Sequence, residues 1–357
     1  MKIVIAPDAY KECLSAPEVA ASMAEGARKG APEADIVEIP LADGGEGTLD
    51  ILLSALGGTC RETVVSDPLG RPVTVAYGVA SDCAIIEVAK VCGLSLLDKR
   101  ERNPLVASTR GLGELMADAY RSGCRRFLIG LGGTATCDGG AGMLSVGGIR
   151  QVLKESRVEL LCDVAAPFVG PEGAARVFAP QKGASAADVE ILEGRLTAQA
   201  AAMAAETGID VSAMPGAGAA GGLGGAFMAY AHASFSSGVD RVLDLTGFDK
   251  AVRGAGLVIT GEGKSDRQTL QGKVPYGVLR RCASLAGSGI RVVLVSGRMV
   301  EDDSEALRKA GFQDLVSVSD GCRSLEEAMR PEVAARNIAR GVARCLAGAG
   351  RFIPGVS

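Results

Sequence analysis

Acidic and basic side chains recur in this chain within short glycine-rich or acidic stretches. The stretches are Pro7-Asp8-Ala9-Tyr10-Lys11, Asp43-Gly44-Gly45-Glu46-Gly47, Gly132-Gly133-Thr134-Ala135-Thr136-Cys137-Asp138-Gly139-Gly140, Cys162-Asp163-Val164 and Gly261-Glu262-Gly263-Lys264-Ser265-Asp266. Glycine lets backbone N–H groups approach phosphate oxygens closely. Lys11, Lys182 and Lys273 are candidate point cations for phosphate. Asp and Glu in such loops can hold Mg²⁺ or accept a hydroxyl proton. Phosphoryl transfer asks for little beyond position, metal and positive charge. Each stretch taken alone also reads as an ordinary turn. Lys182, in Pro180-Gln181-Lys182-Gly183, reads equally as a solvated turn residue, and Asp67 and Gly70 read as builders of the turn Asp67–Pro72.

Other chemistries are short of residues. The chain has one histidine, His232, inside the apolar stretch FMAYAHASF. Ser-His-Asp hydrolysis and multi-His zinc sites therefore lack bases or ligands, and His232 reads as a helix residue. Cys137 has no histidine nearby to activate it and reads as an inert thiol. Gly263-Lys264-Ser265 resembles the end of a P-loop, but Val258 stands where that motif needs glycine. Gly130–Ala135 matches the GxGxxA dinucleotide fingerprint, the best support for the alternative of an NAD-dependent oxidoreductase. Gly139, Gly140 and Gly142 follow at once and work against the helix that the fingerprint should open. Gly216–Gly221 matches GxGxxG with Asp240 further on, yet Met214-Pro215 reads as a break and not as a preceding strand.

The loops follow predicted strands. Lys2–Ala6 is a buried strand, and Ser15 with Glu18 forms a capping box before a helix over 16–30. Asp35–Leu41 is a second strand and Thr48–Leu56 a second helix, a rhythm that argues for a parallel sheet. Residues 59–90 alternate with period two around a turn, which suggests an antiparallel hairpin. Helices are expected near 109–122, 186–207 and 222–235, with strands at Arg126–Gly130 and Val158–Cys162. The parallel rhythm returns with strands at Gly256–Thr260, Arg291–Ser296 and Asp314–Val318. Helices accompany them at 275–286, 302–310 and 325–346.

The fold class read from this is α/β with two domains. A Rossmann/flavodoxin-like parallel-sheet domain, 1–58 and 239–357, is split around an inserted second α/β domain, 59–238, that contains antiparallel hairpins. Such an insertion is physically easy because domain termini lie close together. Gly57-Gly58 and Ser236-Ser237-Gly238 are the expected hinges for a closure that excludes water. The 357 residues suit two domains. A formal net charge of -4 without any Lys/Arg-rich run excludes a nucleic-acid binder. No apolar run approaches a membrane span. Ten scattered cysteines without a CxxC pair suit reduced thiols, so a cytoplasmic setting is expected. The oligomeric state is left open.

The loops, in this order, resemble glycerate kinases of the type-1 family. The matching strings are PDAYKECLSA, LADGGEGT, DPLGRP, NPLVASTRGLGEL, GLGGTATCDGG, PQKGA, PGAGAAGGLGGA and TGEGKSDRQTLQGK, spread over most of the chain. The resemblance implies an ATP- and Mg²⁺-dependent transfer of the γ-phosphoryl group to D-glycerate, giving 2- or 3-phosphoglycerate. It also implies two α/β domains with the site in the cleft between them. The chain departs from the pattern at Ala9-Tyr10, at Cys137, in CDVAAPF, and by a shorter stretch between Leu144 and Val158. A non-catalytic relative that binds a small acid is the third alternative.

The expected catalytic residues are Asp43, which would accept the hydroxyl proton, with Lys11 near the substrate carboxylate, Asp8 and Lys273. The expected ATP-binding residues are Gly132, Gly133, Thr134, Asp138, Gly139, Gly140, Gln181 and Lys182. Asp138, Glu262 and Asp266 are the expected Mg²⁺ ligands.

Overall fold

A computed structural model describes residues 1–285, 289–319 and 322–349. Among the described residues the strands are β1 (Lys2–Ile5), β2 (Asp35–Glu38), β3 (Thr59–Ser66), β4 (Pro72–Ala80), β5 (Cys83–Glu87), β6 (Arg126–Gly130), β7 (Arg157–Leu161), β8 (Ser234–Ser236), β9 (Ala255–Ser265), β10 (Arg291–Met299) and β11 (Asp314–Ser317). The chain divides into two units, Met1–Asp43 with Val242 onward, and Gly44–Arg241.

The first unit carries a five-stranded sheet in the order β2-β1-β9-β10-β11. Every pairing in it is parallel. The apolar runs Ile3–Ile5 and Val292–Val295 are buried throughout, as strands covered on both faces require. Counted within the unit the order is 2-1-3-4-5, the flavodoxin-like winding, and its direction reverses between β1 and β9. The helix Ala16–Gly30 begins where the sequence places it: the Glu18 carboxylate accepts from the Ser15 N–H at 2.8 Å and from its hydroxyl at 2.7 Å. This helix packs on the C-terminal helix Pro331–Ala349, and Met23, Ile338 and Val342 share one core with β1, β9 and β10. The two helix backbones come very close. A Cβ at Gly26 would lie 2.3 Å from the Ala339 carbonyl oxygen, so only glycine fits there.

The second unit carries a six-stranded sheet in the order β3-β4-β5-β6-β7-β8. The pairs β3–β4 and β4–β5 are antiparallel, and β5 through β8 run parallel. Asp67 builds the β3–β4 turn: its carboxylate accepts from the N–H groups of Leu69 and Arg71, each at 2.8 Å, and from Arg71 Nε at 2.6 Å.

Several boundaries differ from the sequence reading. The first crossing between units falls after Asp43 and not after Gly58, because the helix Thr48–Leu56 packs on β4 and β5. Gly78 on β4 makes room for the Leu49 and Leu53 side chains of that helix. The second crossing falls after Arg241. Gly261–Ser265, read as a loop, instead continues β9, with Arg298 of β10 opposite Lys264. The helix expected over 222–235 runs Ala219–Ala231, with non-helical backbone at 220–222. His232 is its exposed C-cap at φ 48°. The helix expected over 275–286 is found at Val274–Ser284, and position 286 lies outside the described residues. No helix begins between Gly130 and Ala141, so the dinucleotide fingerprint lacks its helix. Among the described residues no helix is long and apolar enough to cross a membrane.

Candidate functional site

The reversal between β1 and β9 is where a flavodoxin-like sheet opens a crevice, and the local hydrogen bonds fix what stands there. The Ala6 N–H donates to the Ile259 carbonyl at 2.8 Å and the Asp8 N–H to the Gly261 carbonyl at 2.9 Å. The Thr260 hydroxyl donates to the Ala6 carbonyl at 2.7 Å. The segment after β1 is thus stitched along β9, and Asp8 emerges at its end. Leu41 donates to the Pro7 carbonyl at 2.9 Å, which brings Asp43 to the same end of the sheet. Tyr10 anchors the loop from below, donating its buried hydroxyl to the Val295 carbonyl at 3.0 Å.

A pocket of about 360 Å³ opens here. Its lining combines charged side chains, Asp8, Lys11, Asp43, Glu262, Lys264, Lys273 and Arg298, with an apolar wall of Val318, Leu325, Ala328, Met329 and Ala334. Three of the four residues expected to be catalytic from sequence, Asp8, Lys11 and Asp43, lie on the two strand-end segments. Lys273, the fourth, reaches the same pocket from the N-cap of the helix Val274–Ser284.

Electrostatics separate the carboxylates. Burial pushes the Asp8 carboxyl up to about 8, and the charge of Asp43 adds to the rise. The Ala9 N–H, 2.8 Å from Asp8 Oδ1, offsets part of it. A carboxyl that keeps its proton beside a second acidic side chain can serve as a hydrogen-bond donor there. Glu262, also raised by burial, is held differently. Its Oε1 accepts from the hydroxyls of Ser265, at 3.0 Å, and of Thr269, and its Oε2 sits 3.1 Å from Lys273 Nζ. It therefore fixes the lysine that faces the pocket. Asp266 caps the short turn that follows β9, accepting from Gln268 N–H at 2.9 Å, and pairs with Lys264 at 2.8 Å. The Lys264 contact holds its carboxyl below the usual range.

In the second unit the loop after β6 is braced from within. Lys182 is not a solvated turn residue: it is buried, and donates to the Thr134 hydroxyl at 3.0 Å and the Thr136 carbonyl at 2.6 Å. Burial pulls its ammonium down to about 8. Asp138 Oδ2 accepts from Thr109 N–H at 2.8 Å, Thr109 Oγ1 at 2.9 Å and Gly142 N–H at 3.0 Å, and Oδ1 accepts from Gly140 N–H at 3.0 Å. The Gly139 N–H donates to Gly221, and its carbonyl accepts from Gln199 at 2.7 Å. The amides of Gly139 and Gly140, read as a phosphate cradle, are thus engaged inside this unit. Gly132, Gly133 and Gln181 are exposed, and Thr134 is buried. Burial pushes the Cys137 thiol up to about 11, as an inert thiol requires.

The three carboxylates read as metal ligands are each held by protein donors, and Asp138 belongs to the second unit. Among the described residues no cluster of three His, Cys, Asp or Glu could hold a metal. This donor set does not fit a resident Mg²⁺.

Sequence reasoning missed Arg298 and the apolar wall. Arg298 was findable, because Ser296-Gly297-Arg298 follows an apolar strand just as the recognised loops do. The wall carried no signal: Val318, Leu325 and Met329 are ordinary apolar residues until the fold collects them.

Carboxylates beside cations, at the winding reversal of a parallel sheet, define an α/β protein with a pocket whose residue types suit phosphoryl transfer. The glycerate kinase family model matches residues 3–152 and 145–347, nearly the whole chain. The chain belongs to the glycerate kinase family, whose members are kinases. It is 38% identical to glycerate 2-kinase of Escherichia coli K12, over 98% of this chain and 100% of that one. It is 39% identical to glycerate kinase of Bacillus subtilis 168, over 92% and 93%. A crystal structure described as glycerate kinase 2 from Salmonella typhimurium LT2 superposes with a TM-score of 0.84 at 36% identity, covering 99% of this chain and all of that one. The Escherichia coli alignment spans 385 positions against 357 residues here. The two matched stretches of the family model meet at 145–152, inside the segment that reads as shortened.

Proposed function

We propose that this chain transfers the γ-phosphoryl group of Mg·ATP to the 2-hydroxyl of D-glycerate, giving 2-phosphoglycerate. The observation that carries the reading is the Asp8–Asp43 pair beside Lys11 in the first unit's pocket. Asp43, whose charge raises Asp8, accepts the proton of the substrate hydroxyl. Asp8 stays protonated at neutral pH and donates a hydrogen bond from its carboxyl. Lys11 meets the substrate carboxylate. Lys273, steered by Glu262, offsets charge on the group in transfer. Mg²⁺ arrives with the nucleotide, held chiefly by phosphate oxygens and water. The name of the Escherichia coli relative supports the 2-position. Gly132 and Gly133 are the part of their loop still exposed to an anion. A cytoplasmic setting, suggested by the free cysteines, belongs to the same proposal.

The test is ADP release from purified protein with Mg·ATP and D-glycerate, with L-glycerate, glycolate and acid-free controls, followed by phosphorus NMR of the product. Release that depends on D-glycerate, with phosphate on the 2-position, supports the reading. Release with glycolate alone, or with no acid at all, removes glycerate as the substrate.

A further inference from the structure

The pocket of the first unit is larger and less polar than a three-carbon acid needs. Such an acid displaces a few waters and fills on the order of 100 Å³, at ~30 Å³ for each. The pocket offers about 360 Å³, and Val318, Leu325, Ala328, Met329 and Ala334 give it an apolar wall. Leu325 belongs to that wall and is nevertheless 60% exposed. Val318 and Ala334 form its buried floor. Met329 supplies a thioether, a favourable neighbour for an aromatic ring. Lys11, Lys264, Lys273 and Arg298 line the same space. This lining fits an occupant that carries an apolar group as well as several negative charges. Of the two molecules in a glycerate kinase reaction, only the nucleotide has that form.

We infer that the wall of this pocket formed by Val318, Leu325, Ala328, Met329 and Ala334 seats the purine base of ATP, with the triphosphate running toward Lys273 and Arg298. The inference rests on the proposed kinase reaction and adds to it the place of the nucleotide. It moves the nucleotide's base to the first unit, whereas the sequence reading set ATP on the loop after β6. The Asp8–Asp43 pair then lines the same pocket as the phosphates, where the acceptor hydroxyl must be.

Leu325→Asp tests this at an exposed position that the fold does not depend on, and Met329→Ala tests it by deletion. Each variant is expected to raise KM for Mg·ATP roughly tenfold, the value of one apolar contact. KM for D-glycerate should stay within about twofold, and inhibition by inorganic tripolyphosphate, which has no base, should not weaken. An unchanged KM for ATP in both variants, or a rise in KM for D-glycerate instead, overturns the assignment while leaving the kinase standing. Calorimetric titration with Mg·ADP separates the two ideas should the wild type release no ADP with D-glycerate. Binding that weakens in Leu325→Asp still supports the seat, and equal binding in both proteins refutes it.

Discussion

Asp8→Asn should make this protein more stable, and the gain should depend on pH. An unfolded chain releases the Asp8 proton near 3.8, and the folded chain keeps it to about 8. Between those values the folded state holds a proton that the unfolded state has lost. Stability therefore falls as pH rises through that window. The slope is roughly 1.4 kcal/mol per pH unit, so the loss accumulated by pH 7 is on the order of 4 kcal/mol. Asparagine has no proton to lose, and its Oδ1 can still accept from the Ala9 N–H, now at 2.8 Å. The variant should gain at least ~2 kcal/mol at pH 7.5 after allowance for solvent relaxation, and almost nothing near pH 4. Native-state hydrogen exchange of peptides covering β1 and β9 reads this locally, without requiring the two units to unfold together. A variant no more protected than wild type at pH 7.5, or a difference that does not change with pH, would refute the burial argument for Asp8.

Asp43→Asn should lower kcat by roughly 10²- to 10⁴-fold with little change in exchange protection, and near-normal turnover would remove Asp43 as the base. Asp8→Asn should lose far less activity than Asp43→Asn, because a neutral amide replaces a neutral carboxyl, and kcat/KM should cease to fall above about pH 8. Equal losses in the two variants would count against the division of roles. Asp138→Asn, which sets an amide nitrogen against donors, should lower the urea midpoint by the equivalent of about 2–4 kcal/mol. Unaltered stability would mean that the four hydrogen bonds to that carboxylate are not all made. Glu262→Gln should raise KM for Mg·ATP with kcat reduced, through a Lys273 that is no longer held, and unaffected kinetics would free Lys273 from the mechanism.

Much of the fold was legible because central strands of the first sheet carry continuous apolar runs, as in Ile3–Ala6 and Val292–Val295. The helix start at Ser15 was legible because a capping box marks it, whereas the cap at Ser185 was seen only in the structure. The misreadings have a shared cause. Gly261–Ser265 has the composition of a loop, yet it lies beside β10, where close backbone approach favours glycine: a Cβ at Gly261 would sit 2.2 Å from the Val295 carbonyl oxygen. Lys182 looked like a surface charge because nothing local announces the threonines that receive it, which lie 46 to 48 residues earlier. The loop after β6 looked like a cradle because glycine serves two ends. It lets a backbone approach a ligand, and it lets one loop dock on another, as Gly139 does on Gly221. Asp8, Lys11 and Asp43 were findable by strand-end position alone, whereas the apolar wall exists only once β11 and the segment after it are folded.

The pairing of β1 with β9 has a kinetic consequence. During synthesis β1 leaves the ribosome with neither β9 nor the C-terminal helix yet made, so its apolar run has little to pair with. Closing a loop of about 250 residues by chance would cost roughly 5 kcal/mol of chain entropy. The second unit removes most of that cost when it folds, because Gly44 at its start lies against Gly238 near its end, 3.2 Å from a would-be Cβ. Once folded, the inserted unit keeps its own first and last residues close together. Its folding should come first, and a destabilised insert should appear as slow, aggregation-prone assembly of a sheet it does not belong to.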